Sequence, residues 1–529
     1  VILARLLPCA FAVLLVAQSP LNATAKDHAA QDHEIKDNPT VHELTLDTVI
    51  TRVKYAPDKP PLELTLQQFM KKYNIPGISV AVIDNYKLVW AKGFGVAAAG
   101  GTEPVTPTTL FQAGSISKPV ATAGALWLVE HGKLSLDEDV NKKLKTWKVP
   151  ENQFTATEKV TLRRLMTHTA GLTVHGFPGY AVGEPLPTLV QIFNGEKPAN
   201  TEAIRVDFVP GSKRRYSGGG VTIEQQLMMD VTGQPFPELM QKTVLSKIGM
   251  SNSTYEQPLP PGRAAQAASG SRADNLPIPG KWHIYPEMAA AGLWTTPIDL
   301  AKFAIEIALS KKGKANHVLS QKMTEEMLTP QPPHNESDGA VGLGFFLDDK
   351  NSDEFGHDGA DDGFQAFLMM LADSGKGLVI MGNSDSFFYI TPRILGVVSR
   401  EYGWKYTPPP EPGSNVLMLI ENMVSPQAAL DFYQQVKSSG NQEYKMDESS
   451  LNSLGYHLLM QKKTDLAIKV FERNVQEYPN AWNPYDSLAE AYAAAGQKDL
   501  AIKNYEKSLA LNPDNKSGAE HLKKLKAEK

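Results

Sequence analysis

A proline-rich stretch, KYTPPPEPGSN (Lys405–Asn415), divides this sequence into two regions of different hydrophobic periodicity. Before it, segments with period-two alternation flank a long middle of helical periodicity; after it the pattern is helical only. Proline fixes φ and lacks an N–H, so prolines at 408, 409, 410 and 412 continue neither a helix nor a strand ladder. The stretch predicts a semi-rigid linker over 407–415 between separately folded parts. A length of 529 residues also calls for more than one domain.

The region after the linker repeats itself. Asp465-Leu466-Ala467 recurs as Asp499-Leu500-Ala501, Phe471 as Tyr505 and Pro479 as Pro513, each at an offset of 34 residues. The segment NAWNPYDSLAEAYAAAGQKDLAIKNYEKSLALNP is the clearest copy, SSLNSLGYHLLMQKKTDLAIKVFERNVQEYP is weaker in its first helix, and NVLMLIENMVSPQAALDFYQQVKSSG reads as a degenerate third. Period, small positions and aromatic positions resemble a tetratricopeptide repeat. That resemblance implies stacked helix hairpins over 416–529 and a protein or peptide partner on their concave face.

The N-terminus reads as a secretory signal peptide over 1–25. Arg5 precedes an apolar run from Cys9 to Ala17, and Ala23-Thr24-Ala25 fits a cleavage site. The competing reading is a membrane anchor. A polar, loose lead-in over 26–61 follows. Cys9 is the single cysteine, so a processed chain has no disulfide. No later stretch is long and apolar enough to span a bilayer. An exported, periplasmic or secreted protein is expected. A net charge of −5 and a pI near 6.2 give no support for nucleic-acid binding.

Between lead-in and linker, strands sit at both ends. GISVAVID and YKLVWAKGFGVA flank a turn at Asn85. EFGHDGA, FQAFLMMLAD and GLVIMGNSD form a meander with turns at Asp361-Asp362-Gly363 and Ser374-Gly375, closed by a helix over Pro392–Tyr402. In the middle, TLRRLMTHTAGL predicts a helix stopping at Gly171. TTPIDLAKFAIEIAL predicts one with Thr296 as N-cap, Pro297 at N1 and Asp299 at N3. This is an α+β pattern: one sheet assembled from distant segments, plus a helical lobe.

Candidate chemistry starts at FQAGSISKPVATAG, where Ser115 stands three residues before Lys118 and Pro119 follows at once. Ser-x-x-Lys alone is a spacing chance supplies. Proline is comfortable only in a first helical turn, so Pro119 places Ser115 at the N-terminal edge of a helix ending near His131-Gly132. Lys118 is then on the same face, in a turn that Pro119 distorts. There is no G-x-S-x-G elbow, no H-E-x-x-H and no cysteine cluster, so neither an α/β-hydrolase arrangement nor a metal or other cofactor has visible support. HGFPG at His175 reads as a plain turn. PGSKRRYSGGGVTI puts Tyr216 before Ser217 and three glycines at a helix start. EFGHDGADDGF puts His357 at a strand end, with Gly359 allowing a substrate close to the backbone.

The order S-x-x-K, Y-S-x, H-x-G resembles the serine β-lactamase and penicillin-recognising superfamily, in its class C and DD-peptidase-like branch. LMTHTAGL and AAAGLWTTPIDLAKF add to the likeness, which covers Leu62 to Tyr406. The resemblance implies an antiparallel sheet with a helical lobe. It also implies a serine hydrolase acting through an acyl-enzyme on small esters, amides or D-amino-acid peptides. Ser115 would be the nucleophile, with Lys118 beside it. Tyr216 would be general base or relay, its phenol lowered from about 10 by Lys118; which of the two holds the proton stays open. The N–H groups of Ser115 and Ala360 would bind the oxyanion, His357 would face the leaving side or a carboxylate, and Gly218 and Gly359 would line the substrate. His168 is read as structural. The departures are Gly218 where many relatives have asparagine, His357 where class C β-lactamases have lysine, and the absence of S-D-N and K-T-G. They argue against efficient antibiotic hydrolysis. Two other readings stand beside the hydrolase: an inactive fold used for binding, and a modest β-lactamase.

Overall fold

The period-two segments form strands whose β-branched residues fill a core. A computed structural model describes residues 43–333, 339–347, 353–406 and 410–527. The segment read as a signal peptide (1–25), the first part of the expected lead-in and part of the expected linker lie outside them. The described chain divides at Ile50/Thr51, at Leu64/Thr65 and between residues 406 and 410 into two compact units.

The lead-in is more ordered than its polarity suggests. Strand β1 (Val49–Val53) pairs with β2 (Leu62–Thr65), and Leu44, Ile50 and Val53 are buried. Three apolar residues in five positions are enough for a short half-buried strand.

The first unit is built on a seven-stranded antiparallel sheet. Its strands are β3 (Gly77–Asp84), β4 (Lys87–Gly95), β5 (Ala340–Val341), β6 (Phe346–Leu347), β7 (Glu354–Asp361), β8 (Phe364–Leu371) and β9 (Lys376–Gly382), in the order β4-β3-β9-β8-β7-β6-β5. The N-terminal hairpin thus joins the C-terminal meander through β3 and β9, with Ile83 opposite Gly377 and Ile78 opposite Gly382. As expected, Asn85 and Tyr86 make the hairpin turn, with φ of 50° and 61°.

The intervening chain forms the helical lobe. Its main helices are α1 (Ser117–Glu130), α2 (Leu162–Met166), α3 (Gly218–Thr232) and α4 (Pro297–Lys311); α5 (Thr391–Glu401) follows the sheet. Helix α4 packs on β9, β3, β8 and β4. Thr296 caps it by accepting from Asp299 N, as the sequence predicts. Helix α1 ends at Glu130, before a Gly132 with φ of 66°. It is buried on nearly every side from Ser117 to Leu128, which explains its run of Ala, Gly and Thr in place of an amphipathic stripe. Helix α2 stops at Met166, short of Gly171, because His168 turns left-handed with φ of 59°. Gly171 is not a helix cap: a Cβ there would lie 2.3 Å from the Phe208 carbonyl oxygen, so the glycine permits a close chain crossing.

Beyond the linker the second unit is mainly helical. Three antiparallel hairpins, α6 (Gly413–Met423) with α7 (Pro426–Ser439), α8 (Glu448–Met460) with α9 (Thr464–Glu477), and α10 (Trp482–Ala494) with α11 (Lys498–Leu511), precede a closing α12 (Lys516–Ala527). The degenerate first copy is therefore a real hairpin. The linker is shorter than read from its prolines. Glu411–Pro412 runs parallel to Tyr444–Lys445, and Glu411 N donates to Glu443 O at 2.8 Å. Pro412 is tolerated there because a two-residue edge ladder needs few donors.

Within the repeats Gly455 accepts the ring of Phe471, whose Cε1 lies 2.4 Å from where a Cβ would be. Phe471 is fully buried. Phe471→Ala should destabilise this unit by about 3–5 kcal/mol. Hydrogen exchange of the full chain should then accelerate across α8–α11; unchanged exchange there would contradict this packing account.

Candidate active site

Ser115 lies in a 3-10 turn, Gly114–Ile116, that leads directly into α1. This is the N-terminal edge predicted from Pro119, and the turn is distorted from α geometry as that proline implied. Pro119 is the third residue of α1, where a missing N–H costs no helical hydrogen bond.

The turn packs against β7 and β8. Two glycines make the approach. A Cβ on Gly359 would sit 1.9 Å from Ala113 O and 3.1 Å from Ser115 N, and one on Gly114 would sit 2.4 Å from Ala360 N. Gly359 was read as making room for a substrate; the room is taken by the Ala113–Ser115 turn. The same contact puts the backbone nitrogens of Ser115 and Ala360 at the junction of the turn and β7. His357 is also placed differently: it lies within β7, opposite Leu368, and not at the strand's end.

Lys118 is buried, 3% exposed. Its Nζ is 2.8 Å from Ser115 Oγ and donates to the Ala290 carbonyl oxygen at 2.7 Å. Ala290 belongs to a short helix, Met288–Ala291, packed on α1. Burial pushes the Lys118 ammonium down to about 7, and the charge of Asp361 acts in the opposite direction. An amine at that value is half neutral near pH 7 and can accept the Ser115 proton.

Tyr216 faces the same hydroxyl, and Lys118 Nζ lies 5.0 Å from its ring centroid. Burial raises the phenol above its ordinary value, while its interaction with Ser115 works the other way and Asp358 adds to the rise. The expectation that Lys118 lowers Tyr216 is therefore corrected. Loss of water around the phenol sets the direction, and of the two groups Lys118 is the one that titrates near neutrality.

Imidazoles surround Tyr216. His168 lies against it, 4.2 Å between centroids with the rings tilted by 37°, and its Nδ1 accepts from Ser217 N at 3.2 Å. Burial keeps His168 neutral, and it holds the Tyr216 turn, the structural role read from the sequence. His357 lies 6.3 Å from Tyr216 and 4.7 Å from Phe346. Its Nδ1 pairs with Asp358 O at 2.6 Å, and burial pushes it down to about 3. Neutral His357 donates or accepts a hydrogen bond but carries no charge at pH 7.

Gly218 begins α3 behind the Ser217 N-cap. Its N–H already donates to His175 O at 2.9 Å, so it supports the site wall and has no free N–H for a substrate. HGFPG is likewise more than a plain turn, since it sets the His175 ring 4.9 Å from Tyr216. Sequence reasoning missed His175, Phe346, the Ala290 carbonyl and Asp361. AAAGLW and HDGADDG marked two of these segments, but carbonyl direction and ring stacking are set by packing.

Residues 62–391 match the family model described as Beta-lactamase, and 482–515 match that of a tetratricopeptide repeat. The chain is 30% identical over 197 residues to a beta-lactamase from Pseudomonas fluorescens, covering 37% of this chain and 51% of that one. It is 28% identical over 258 residues to a beta-lactamase from Lysobacter lactamgenus, covering 47% and 60%. It spans about half to three fifths of the length of these curated relatives. A solved beta-lactamase/D-alanine carboxypeptidase from Yersinia pestis, complexed with citrate, superposes with a TM-score of 0.51 at 18% identity, over 64% of this chain and 96% of that one, and shares the fold. With the family match spanning the sheet, the lobe and the Ser115, Lys118, Tyr216 and His357 positions, this chain belongs to the beta-lactamase family.

Proposed function

We propose that this protein is an exported serine hydrolase that cleaves small esters, amides or D-amino-acid peptides through an acyl-enzyme. The observation that carries the reading is the 2.8 Å contact between Ser115 Oγ and a buried Lys118 amine pushed down to about 7. Neutral Lys118 takes the Ser115 proton as Oγ attacks the acyl carbonyl. The N–H groups of Ser115 and Ala360, from the two sides of the turn–strand contact, bind the oxyanion. As the tetrahedral adduct collapses, the Lys118 ammonium returns the proton to the leaving group, with the protonated Tyr216 phenol as relay. His357 holds the leaving side by a neutral hydrogen bond. Water then attacks the ester of Ser115 by the reverse of the same path. Arg5, the Cys9–Ala17 run and Ala23-Thr24-Ala25 support export, and the repeat unit supports a protein or peptide partner. β-Lactam turnover is a second reading, favoured by the names of the curated relatives. Gly218 and His357 weigh against it.

A fluorophosphonate probe should label the full chain, and Ser115→Ala should abolish labelling; equal labelling of the two would sink the hydrolase reading. The pH dependence follows from Lys118. Below about 7 it is an ammonium and cannot accept a proton, so kcat/KM on p-nitrophenyl acetate should fall about tenfold per pH unit on the acid side and level off above. An acid limb that stays near 7 in Lys118→Arg would show that Lys118 is not the group that titrates. Gly359→Ala puts a methyl into Ala113 O. It should cut turnover by at least about 10²-fold, the scale of a lost oxyanion donor, with the far-UV spectrum retained; wild-type turnover would show that the turn and β7 need not touch.

A further inference from the structure

The Lys118 amine is aimed by a carbonyl, and that carbonyl has to be aimed in turn. Ala290 O, which accepts from Lys118 Nζ at 2.7 Å, stands at the end of the four-residue helix Met288–Ala291. The last carbonyls of a helix have no partner inside it, so Ala290 O is free for the amine. One turn of helix is not stable on its own. Its direction is set by whatever grips its two ends.

Two buried polar side chains do this. Gln225 lies in the middle of α3 and is 1% exposed. A polar side chain enclosed in mid-helix has to find partners. Its Nε2 donates to Pro286 O at 3.1 Å and its Oε1 accepts from Ala289 N at 2.9 Å, so both ends of one amide hold the start of the short helix. An N-cap side chain normally fills that role, and Glu287, which stands at the N-cap, makes no such bond. Past the helix, Ser117 Oγ accepts from Leu293 N at 3.0 Å, and Ala113 N donates to Leu293 O at 2.9 Å. Ser117 is fully buried, and its own carbonyl accepts from the Tyr255 hydroxyl at 2.6 Å. The ties thus run from α3, the helix that follows Tyr216, through Met288–Ala291 to the residue before Lys118. Neither Gln225 nor Ser117 has a part in the hydrolytic scheme.

We propose that Gln225 and Ser117 are positioning residues that aim the Ala290 carbonyl at the Lys118 amine, and so set its direction toward Ser115 and its hold on a proton. The proposal rests on the hydrolase reading above, in which Lys118 takes the Ser115 proton. The carbonyl favours the ammonium, because a hydrogen bond from a charged donor is about twice as strong as one from a neutral donor. A carbonyl that swings away therefore lowers the proton affinity of Lys118 and leaves the amine free to turn off Ser115 Oγ. Lys118 is faced by Asp361 and His357 from β7, by Tyr216, and by His168 and His175. Gln225 and Ser117 are neutral, so neutral replacements change none of those charges.

The test is the pH dependence of kcat and kcat/KM on p-nitrophenyl acetate, measured on the full chain. Gln225→Met keeps the length of the side chain and loses both bonds, and Ser117→Ala removes one acceptor. Each should lower the plateau by about tenfold and move the acid limb down by about one pH unit, with KM within about twofold. Gln226 is the control: it is also buried, but its amide serves Asp230. Gln226→Met should lower the melting temperature and leave the acid limb in place. Fluorophosphonate labelling of Ser115 shows that the nucleophile is assembled in each variant. Ser117→Ala is the milder change and decides alone if Gln225→Met does not label. Labelled variants with the wild-type limb, or a limb that moves equally in Gln226→Met, would overturn the positioning role and leave the hydrolase reading standing. Failure of both variants to label where Gln226→Met labels would show a structural role and overturn it as well. A wild type that fails to label removes the hydrolase reading and this one with it.

Discussion

A lysine amine, removed from water and held between Ser115 Oγ and the Ala290 carbonyl, is the constraint on which the first unit is organised. A buried ammonium without a carboxylate in contact is costly. The cost is lowered by giving up the proton, which is why the amine is pushed down to about 7. That state requires α1 to be enclosed. Helix α1 is surrounded by α3, by the Met288–Ala291 turn and by the chain around Gln241–Leu245. Its small residues follow: a Cβ on Gly124 would lie 2.7 Å from Met240 Sδ. A bulkier α1 would hold its neighbours off and let water reach Lys118.

The second requirement is that a turn from the lobe meets a strand of the sheet. Gly114 and Gly359 lie on the two sides of that contact: a Cβ on Gly114 would strike the backbone of Ala360 and Gly359, and one on Gly359 that of Ala113. The N–H groups of Ser115 and Ala360 are brought together by packing between segments far apart in the chain. Tyr216 arrives from a third segment, held by His168 and bordered by His175. Ser115 with Lys118, Ala360 and Tyr216 thus come from three separate segments whose relative placement depends on one shared core.

Much of the fold was legible. The β3–β4 hairpin, the β7–β8–β9 meander, the Thr296 cap of α4 and the 34-residue period of the second unit are local patterns with local causes, and the structure has all of them. The failures are instructive. Gly171 looked like a helix stop, yet the helix ends earlier at a left-handed His168, a conformation imposed by the Tyr216 turn that pairs with it. The lead-in looked loose because its charged residues hid the Val49, Ile50 and Val53 pattern. The prolines of 408–412 overstated the linker because Glu411 and Pro412 find a parallel partner beyond the next two helices.

By itself the sequence determined which residues could do chemistry and where their helices and strands begin. Pro119 alone put Ser115 at a helix start, since a ring in place of an N–H is accepted only in a first turn. Tertiary structure decided the protonation states and the neighbours. Whether Lys118 or Tyr216 titrates near pH 7 depends on how much water each loses. That is a property of the enclosed site, and packing withholds water from both but leaves only the lysine near neutrality. It likewise decided that Gly359 makes room for Ala113 and not for a substrate, and that His175 stands beside Tyr216, because both depend on which distant backbone segments come into contact.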